Sequence, residues 1–287
     1  MRSLKNEKIL NILRCPVCAA SMKISANGVS LLCNGAKTHC YDFSASGYVN
    51  LWTPTQSGGG DSKGAVRART EFLDKDYYLP VAQAVAEAVE KFAPKDKPVI
   101  DAGCGEGYYS MFPARQGYAV YGVDLSKFAV DAAAKRSARE KNQNAFFSTA
   151  SVFELPVGDK SAGAVINIFA PCAEKEYSRV LCDCGVLIVA YAGEKHLLGL
   201  KSTIYENAHI NTQRADLPLK MCKIWEKRVS YNIDITSNNE IMSLFAMTPY
   251  YWRTSQSDAE KLMGLEKLTT EVDIVVSVYT NEKTEMK

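Results

Sequence analysis

The stretch VIDAGCGEGYYS, residues 99–110, decides how the rest of the chain is read. It starts as an apolar strand, reaches an acid at Asp101, and then places glycines at Gly103, Gly105 and Gly107 before a helix-forming run. Glycine has no Cβ, so the backbone can turn sharply here and a ligand can lie directly against main-chain atoms. A dinucleotide-binding loop more usually spaces its glycines G-x-G-x-x-G, whereas this one reads G-x-G-x-G behind a strand-terminal carboxylate.

That variant suits the methionine end of S-adenosylmethionine, whose ammonium group needs acceptors near the loop. Seventeen residues after Gly107 a second strand, YAVYGVD, ends on Asp124. A carboxylate at that place can accept both hydroxyls of an adenosine ribose. Beyond AFFSTAS comes Ser151-Val152-Phe-Glu-Leu-Pro156 and then GDKSAGAVINIFAP. This arrangement resembles the adenine-contacting segment and fourth strand of class I methyltransferases. From Pro98 onward strand and helix patterns alternate, which predicts a parallel sheet covered by helices on both faces. KMCKIWEKRVSYNIDI and EVDIVVSVYT, on either side of a helical stretch, supply two more strands. The expectation is an α/β fold with a seven-stranded Rossmann-like class I methyltransferase sheet.

Outward from this core the composition changes. Residues 1–52 are rich in Cys, Gly and Asn and too poor in apolar residues for a core of their own, so a metal staple is physically useful there. Cys15-Pro-Val-Cys18 is followed by Cys33 and then by adjacent His39 and Cys40, one potential ligand more than tetrahedral zinc requires. An all-protein Cys/His tetrahedron leaves no open position, so such a zinc would be structural, and the spacing alone leaves His39 and Cys40 both open as the fourth ligand. TPTQSGGGDSKG, 53–64, reads as a flexible linker, and 65–93 has helical spacing with Pro80 in a first turn. The predicted organisation is a zinc-binding RNA-recognition module over 1–52, a linker with helices over 53–97, and a methyltransferase domain over 98–287.

With a formal net charge of +2 the chain does not announce a nucleic-acid binder, so any basic surface must be local. Nine cysteines, an odd number scattered partly through sheet-like runs, favour a reducing cytoplasm over a disulfide framework. No apolar run is long enough for a signal peptide or a membrane span.

CPVC, LLC, HCYDFSASGYVNL, ARTEFLDKDYYLP, DAGCGEGYY, GVDLSKFAVDAAAKR, the ELP segment, FAPC, KHLLGLKSTIY and MTPYYW, in that order, resemble the RlmA-type 23S rRNA (guanine-N1)-methyltransferases. The resemblance runs from about residue 13 to about residue 280. It implies a zinc-binding module that helps recognise a hairpin of 23S rRNA, joined to an S-adenosylmethionine domain. Some members of that family protect the ribosome from macrolide antibiotics. The resemblance carries the cofactor contacts to Tyr78, to the glycine loop with Tyr109 and Ser110, to Asp124 and to His196. It also selects His39 over Cys40 as the fourth zinc ligand, although the spacer from Cys33 is longer than the family's usual three residues.

Methyl transfer from a sulfonium is an in-line displacement, so the protein mainly positions the reactants and excludes water. Guanine N1 must also lose its proton, and the sequence does not identify the acceptor. Asn167, in NIFAP at the end of the fourth core strand, is the candidate polar residue beside the methyl group, with a structural hydrogen bond as its other reading. Lys37, Tyr48, Arg67 and Arg69 are candidate RNA contacts. The alternatives are a small-molecule methyltransferase, against which the zinc module argues, and a catalytically inactive RNA-binding homologue, against which the intact loop and Asp124 argue. A homodimer is one option for its oligomeric state.

Overall fold

Val99–Ala102, at the centre of the quoted stretch, forms a strand that is buried at every residue, as an inner strand of a parallel sheet must be. The computed structural model describes residues 4–52, 60–211, 218 and 220–281; the rest, including 53–59 of the expected linker, lie outside the described residues. In chain order the strands are β1 (Met22–Ile24), β2 (Ser30–Cys33), β3 (Cys40–Asp42), β4 (Val49–Asn50), β5 (Val99–Ala102), β6 (Val120–Asp124), β7 (Ala145–Thr149), β8 (Ala162–Ile168), β9 (Leu181–Ala192), β10 (Cys222–Ile235) and β11 (Leu268–Thr280). The helices are α1 (Glu7–Ile12), α2 (Lys63–Leu73), α3 (Leu79–Phe92), α4 (Met111–Arg115), α5 (Lys127–Arg139), α6 (Glu174–Val180), α7 (Leu198–Ile204), α8 (Asn238–Ala246) and α9 (Gln256–Met263).

The seven strands expected from sequence pair in the order β7-β6-β5-β8-β9-β11-β10, parallel except for β11, which runs antiparallel between β9 and β10. The structure adds an eighth. β4, part of the YVNLW piece, pairs parallel with β7 through Val49 opposite Ser148 and Asn50 opposite Thr149. It covers an edge that β7 would otherwise leave open, and Thr149 donates its hydroxyl to the Asn50 side-chain carbonyl.

Side chains alternate across the sheet with the period of two that a pleated strand imposes. Ala164, Ile166 and Ile168 of β8 join the cluster under α3, α7 and α8, while Val165 joins the cluster on the opposite face, where α6 packs through Tyr177 and Val180; Ala162 joins that face too, because the strand is irregular between Ala162 and Ala164. The N-terminal residues Ile9, Leu13, Cys15, Leu31, Cys33 and Val49 belong to that second cluster, so the cysteine-rich segment buries its few apolar side chains against the large sheet. Ser62 and Ser126 accept the Ala65 and Ala129 N–H groups as N-caps of α2 and α5, and Pro80 sits in the first turn of α3. No helix among the described residues is long and apolar enough to cross a membrane.

Candidate cofactor pocket and metal centre

The order β6-β5-β8 places a topological switch at β5, and the crevice beyond its carboxyl end is where open α/β sheets bind ligands. Gly103, Gly105 and Gly107 all have positive φ there, +84°, +54° and +76°. At Gly103 a Cβ would stand 2.5 Å from the Ala170 Cβ, so the glycine also lets the loop after β8 approach. Asp124 ends β6 and accepts from the Gly105 N–H at 3.0 Å and the Ser126 N–H at 2.8 Å, one on each oxygen. Each oxygen keeps a further lone pair for a ribose hydroxyl. Asp101 is buried and accepts from the Ser110 hydroxyl at 2.5 Å. Burial, with the Asp124 and Glu106 charges adding to it, pushes its carboxyl up to about 7.

Glu106 is buried as well, and it meets a residue expected elsewhere. Arg69 of α2 does not face outward as an RNA contact; its guanidinium turns inward to Glu106 and Asp61 and lies 3.1 Å from where a Gly105 Cβ would be. Arg69 pairs with Asp61 and Glu106, and its charge reaches Asp124; with Asp101 beside them the carboxyls outnumber this one guanidinium, an excess of acid that fits a ligand carrying an ammonium and a sulfonium. Arg136 ties the loop from outside, bonding the Glu106 carbonyl and the Asp74 carboxylate.

Tyr78 and His196 meet across 118 residues of chain, Tyr78 Oη lying 3.3 Å from His196 Nε2. The Asp273 N–H donates to His196 Nδ1 at 3.3 Å, which makes Nδ1 the acceptor and puts the ring proton on Nε2. Burial pushes this imidazole down to about 4, overriding the pull of Asp273. The Asp273 carboxylate accepts two bonds from Arg228 and one from the Lys195 N–H, and so fixes the turn that carries His196. Tyr109 packs edge-on against Tyr108, and burial holds its phenol well above the ordinary range. Val152 is buried beside Ser151, whose hydroxyl accepts the Phe153 N–H.

Asn167 lies wholly buried, with its amide NH2 donated to the Pro171 carbonyl and the Tyr177 hydroxyl, each at 3.0 Å, and its Oδ1 without a hydrogen-bond partner. Its parity along β8 turns it toward α6, where it ties down the loop after the strand. Glu106, the inward Arg69 and Asp273 were not among the expected site residues. Asp273 had a signal, an acid within an otherwise apolar strand pattern.

Cys15, Cys18, Cys33 and His39 converge with all ligand atoms within 4.8 Å of one another. Cys18 Sγ and Cys33 Sγ are 3.7 Å apart, and His39 Nδ1 lies 3.5 Å from Cys15 Sγ and 3.4 Å from Cys33 Sγ. A tetrahedron with Zn–S bonds of about 2.3 Å has S···S edges of about 3.8 Å, so the donor set and spacing fit zinc. The His39 N–H donates to Cys33 Sγ and is the main cause holding that thiol at about 6, with burial opposing it. Cys40 is exposed and turned toward Asp42.

A model described as a methyltransferase domain matches residues 99–185, from the glycine loop through β8 into β9. The 23S rRNA (guanine(748)-N(1))-methyltransferase of Streptomyces fradiae is 31% identical over 199 residues, 68% of either chain. A Bacillus subtilis (strain 168) protein provisionally designated a 23S rRNA (guanine-N(1)-)-methyltransferase, YxjB, is 26% identical over 96% of this chain and 100% of its own. The crystal structure of the YcgJ protein from Bacillus subtilis overlaps 70% of this chain and 99% of that one, at 14% identity and a TM-score of 0.47. With the methyltransferase loop and the cysteine–histidine centre in one chain, and 31% identity over two thirds of a named rRNA methyltransferase, this chain belongs to the 23S rRNA (guanine-N1)-methyltransferase family.

Proposed function

We propose that this chain transfers the methyl group of S-adenosylmethionine to N1 of a guanosine in a hairpin of 23S rRNA, in the cytoplasm. The observation that carries the reading is the packing of a Cys3His metal cluster against the same sheet that ends in an acid-rich glycine loop. Residues 1–52 serve as the RNA-recognition module, 53–97 lead into the core, and 98–287 are the methyltransferase domain.

When bound, the cofactor supplies an electrophilic methyl group on a sulfonium. Asp124 and the main chain at Gly103, Gly105 and Gly107 orient it, Glu106 supplies negative charge, Asp101 adds to it where the bound cation favours its ionised form, and Tyr78, Tyr109, Ser110, Ser151, Val152 and His196 complete its surroundings. His196 is not the acceptor of the guanine N1 proton in this reading, since Nδ1 is occupied by the Asp273 N–H and Nε2 carries hydrogen. Asn167 acts by holding the loop beyond β8. A zinc held by Cys15, Cys18, Cys33 and His39 would keep the shape of the module and, with all four positions filled by protein, would take no part in transfer.

Transfer of labelled methyl to protein-free 23S rRNA, followed by nucleoside analysis, tests the proposal. Label in 1-methylguanosine is expected, with a rate that falls as salt rises because phosphate contacts release counterions. Label in another nucleoside or only in a metabolite, or a salt-insensitive reaction, would overturn it.

A further inference from the structure

Two features that seldom coincide meet at Phe169, the residue directly after β8. Its backbone has φ +52°, a left-handed conformation that bulky side chains rarely adopt, and the residue is 47% exposed. Neither follows from packing needs, because a buried ring would gain from enclosure and a glycine would hold this turn without strain. The position is nonetheless well fixed. The Phe169 N–H continues the ladder to the Ala190 carbonyl at 3.2 Å, and the next residue, Ala170, abuts Gly103 of the glycine loop.

The ring does not hang free. It lies nearly parallel to the imidazole of His196, with centroids 5.9 Å apart and planes 15° apart, and His196 is itself buried between Tyr78 and Asp273. Phe169 is therefore a flat apolar ring, set parallel to and offset from a buried imidazole and half open to solvent beyond the end of β8. Backbone strain that the surroundings maintain is characteristic of functional positions. A base presented for chemistry on a ring atom must leave its helical stack, and unstacked bases are received on aromatic planes.

We infer that Phe169 is the platform on which the target guanine stacks beside the glycine loop; this rests on the rRNA reading above and names a positioning residue for that reaction. The conformation that aims the ring is held at the expense of local stability, which gives the test its handle. Phe169→Gly relieves the strain and removes the platform, Phe169→Leu keeps apolar bulk without a plane, and Phe169→Trp keeps the plane. Thermal unfolding, S-adenosylhomocysteine affinity by calorimetry, and separate kcat and KM values on 23S rRNA are measured for each.

Phe169→Gly should unfold at or above the wild-type temperature and bind S-adenosylhomocysteine within about twofold of wild type. Its kcat/KM on RNA should fall roughly 5- to 150-fold, the range of base–aromatic stacking. Phe169→Leu should lose most of the same activity and Phe169→Trp should keep most of it. The inference is overturned by unchanged kcat/KM in Phe169→Gly, by full activity in Phe169→Leu, by an equal loss of S-adenosylhomocysteine affinity, or by a lowered unfolding temperature that accounts for the loss. Failure of the wild-type protein to methylate 23S rRNA would instead overturn the proposed function, and the guanine platform with it.

Discussion

Acidification should destabilise the fold through His196, by an amount its surroundings allow to be worked out. His196 is 6% exposed, and burial pushes its imidazole down to about 4 from an ordinary value near 6.5. Between these two values the unfolded chain binds a proton that the folded chain refuses, so stability falls as pH falls through that window. At pH 5 the single-site linkage amounts to about 2 kcal/mol relative to pH 7.5. The structural cause is specific: a proton on Nδ1 would put an N–H against the Asp273 N–H and break the 3.3 Å bond between them. Urea unfolding of the wild type and His196→Gln at pH 7.5 and pH 5 isolates the effect, because the glutamine does not titrate. The wild type should lose about 2 kcal/mol more than the variant over this interval. Metal loss in acid is common to both proteins and cancels in the difference. Equal losses, or a His196 that titrates near neutrality, would refute both the buried neutral imidazole and its assigned tautomer.

The metal centre should lose its ion in His39→Ala and keep it in Cys40→Ala, read as zinc per chain by elemental analysis. Gly35→Ala should lower zinc affinity about 10- to 100-fold, as disruption of supporting contacts commonly does, because its Cβ would lie 2.8 Å from Cys18 Sγ. Asp101→Asn should raise stability at pH 8, by at most about 4 kcal/mol, because a carboxyl held near 7 in the fold ionises more readily once unfolded. That gain should shrink as pH falls from 7 and vanish below about 4, where both states of Asp101 are protonated; a gain independent of pH in urea unfolding would refute the assignment.

What the sequence disclosed divides by distance along the chain. The glycine loop, Asp124 and the alternation of strand and helix are local patterns, and the sheet forms as they require. The choice between His39 and Cys40 could not be made from spacing, because it depends on where β3 begins. β3 starts at Cys40, whose side chain lies on the exposed side toward Asp42, while the His39 N–H just before it reaches Cys33 Sγ. Long-range pairings left no local trace. Arg69 read as a surface cation beside a linker until Glu106, 37 residues on, accounted for its inward turn. β4 read as part of the metal module until its register with β7 made it the eighth strand of the sheet.

The charges around the pocket make sense only together. A site lined by Asp101, Glu106 and Asp124 and suited to a cationic ligand would be weakened by a charged imidazole at its edge. Yet the carboxylate of Asp273, wholly buried, stands close enough to His196 to favour its protonation. Burial of the imidazole outweighs that pull, and the carboxylate finds its partner in Arg228, whose two bonds, at 2.6 and 2.7 Å, hold it below its ordinary range. What remains of Asp273 for the site is its backbone N–H, which fixes the tautomer, and a carboxylate oxygen on the Lys195 N–H, which fixes the turn. Burial thus keeps His196 neutral, the ion pair between β10 and β11 holds the turn that aligns it beside Phe169, and the negative charge of the pocket is left to the glycine loop, where the cofactor's positive charges would lie.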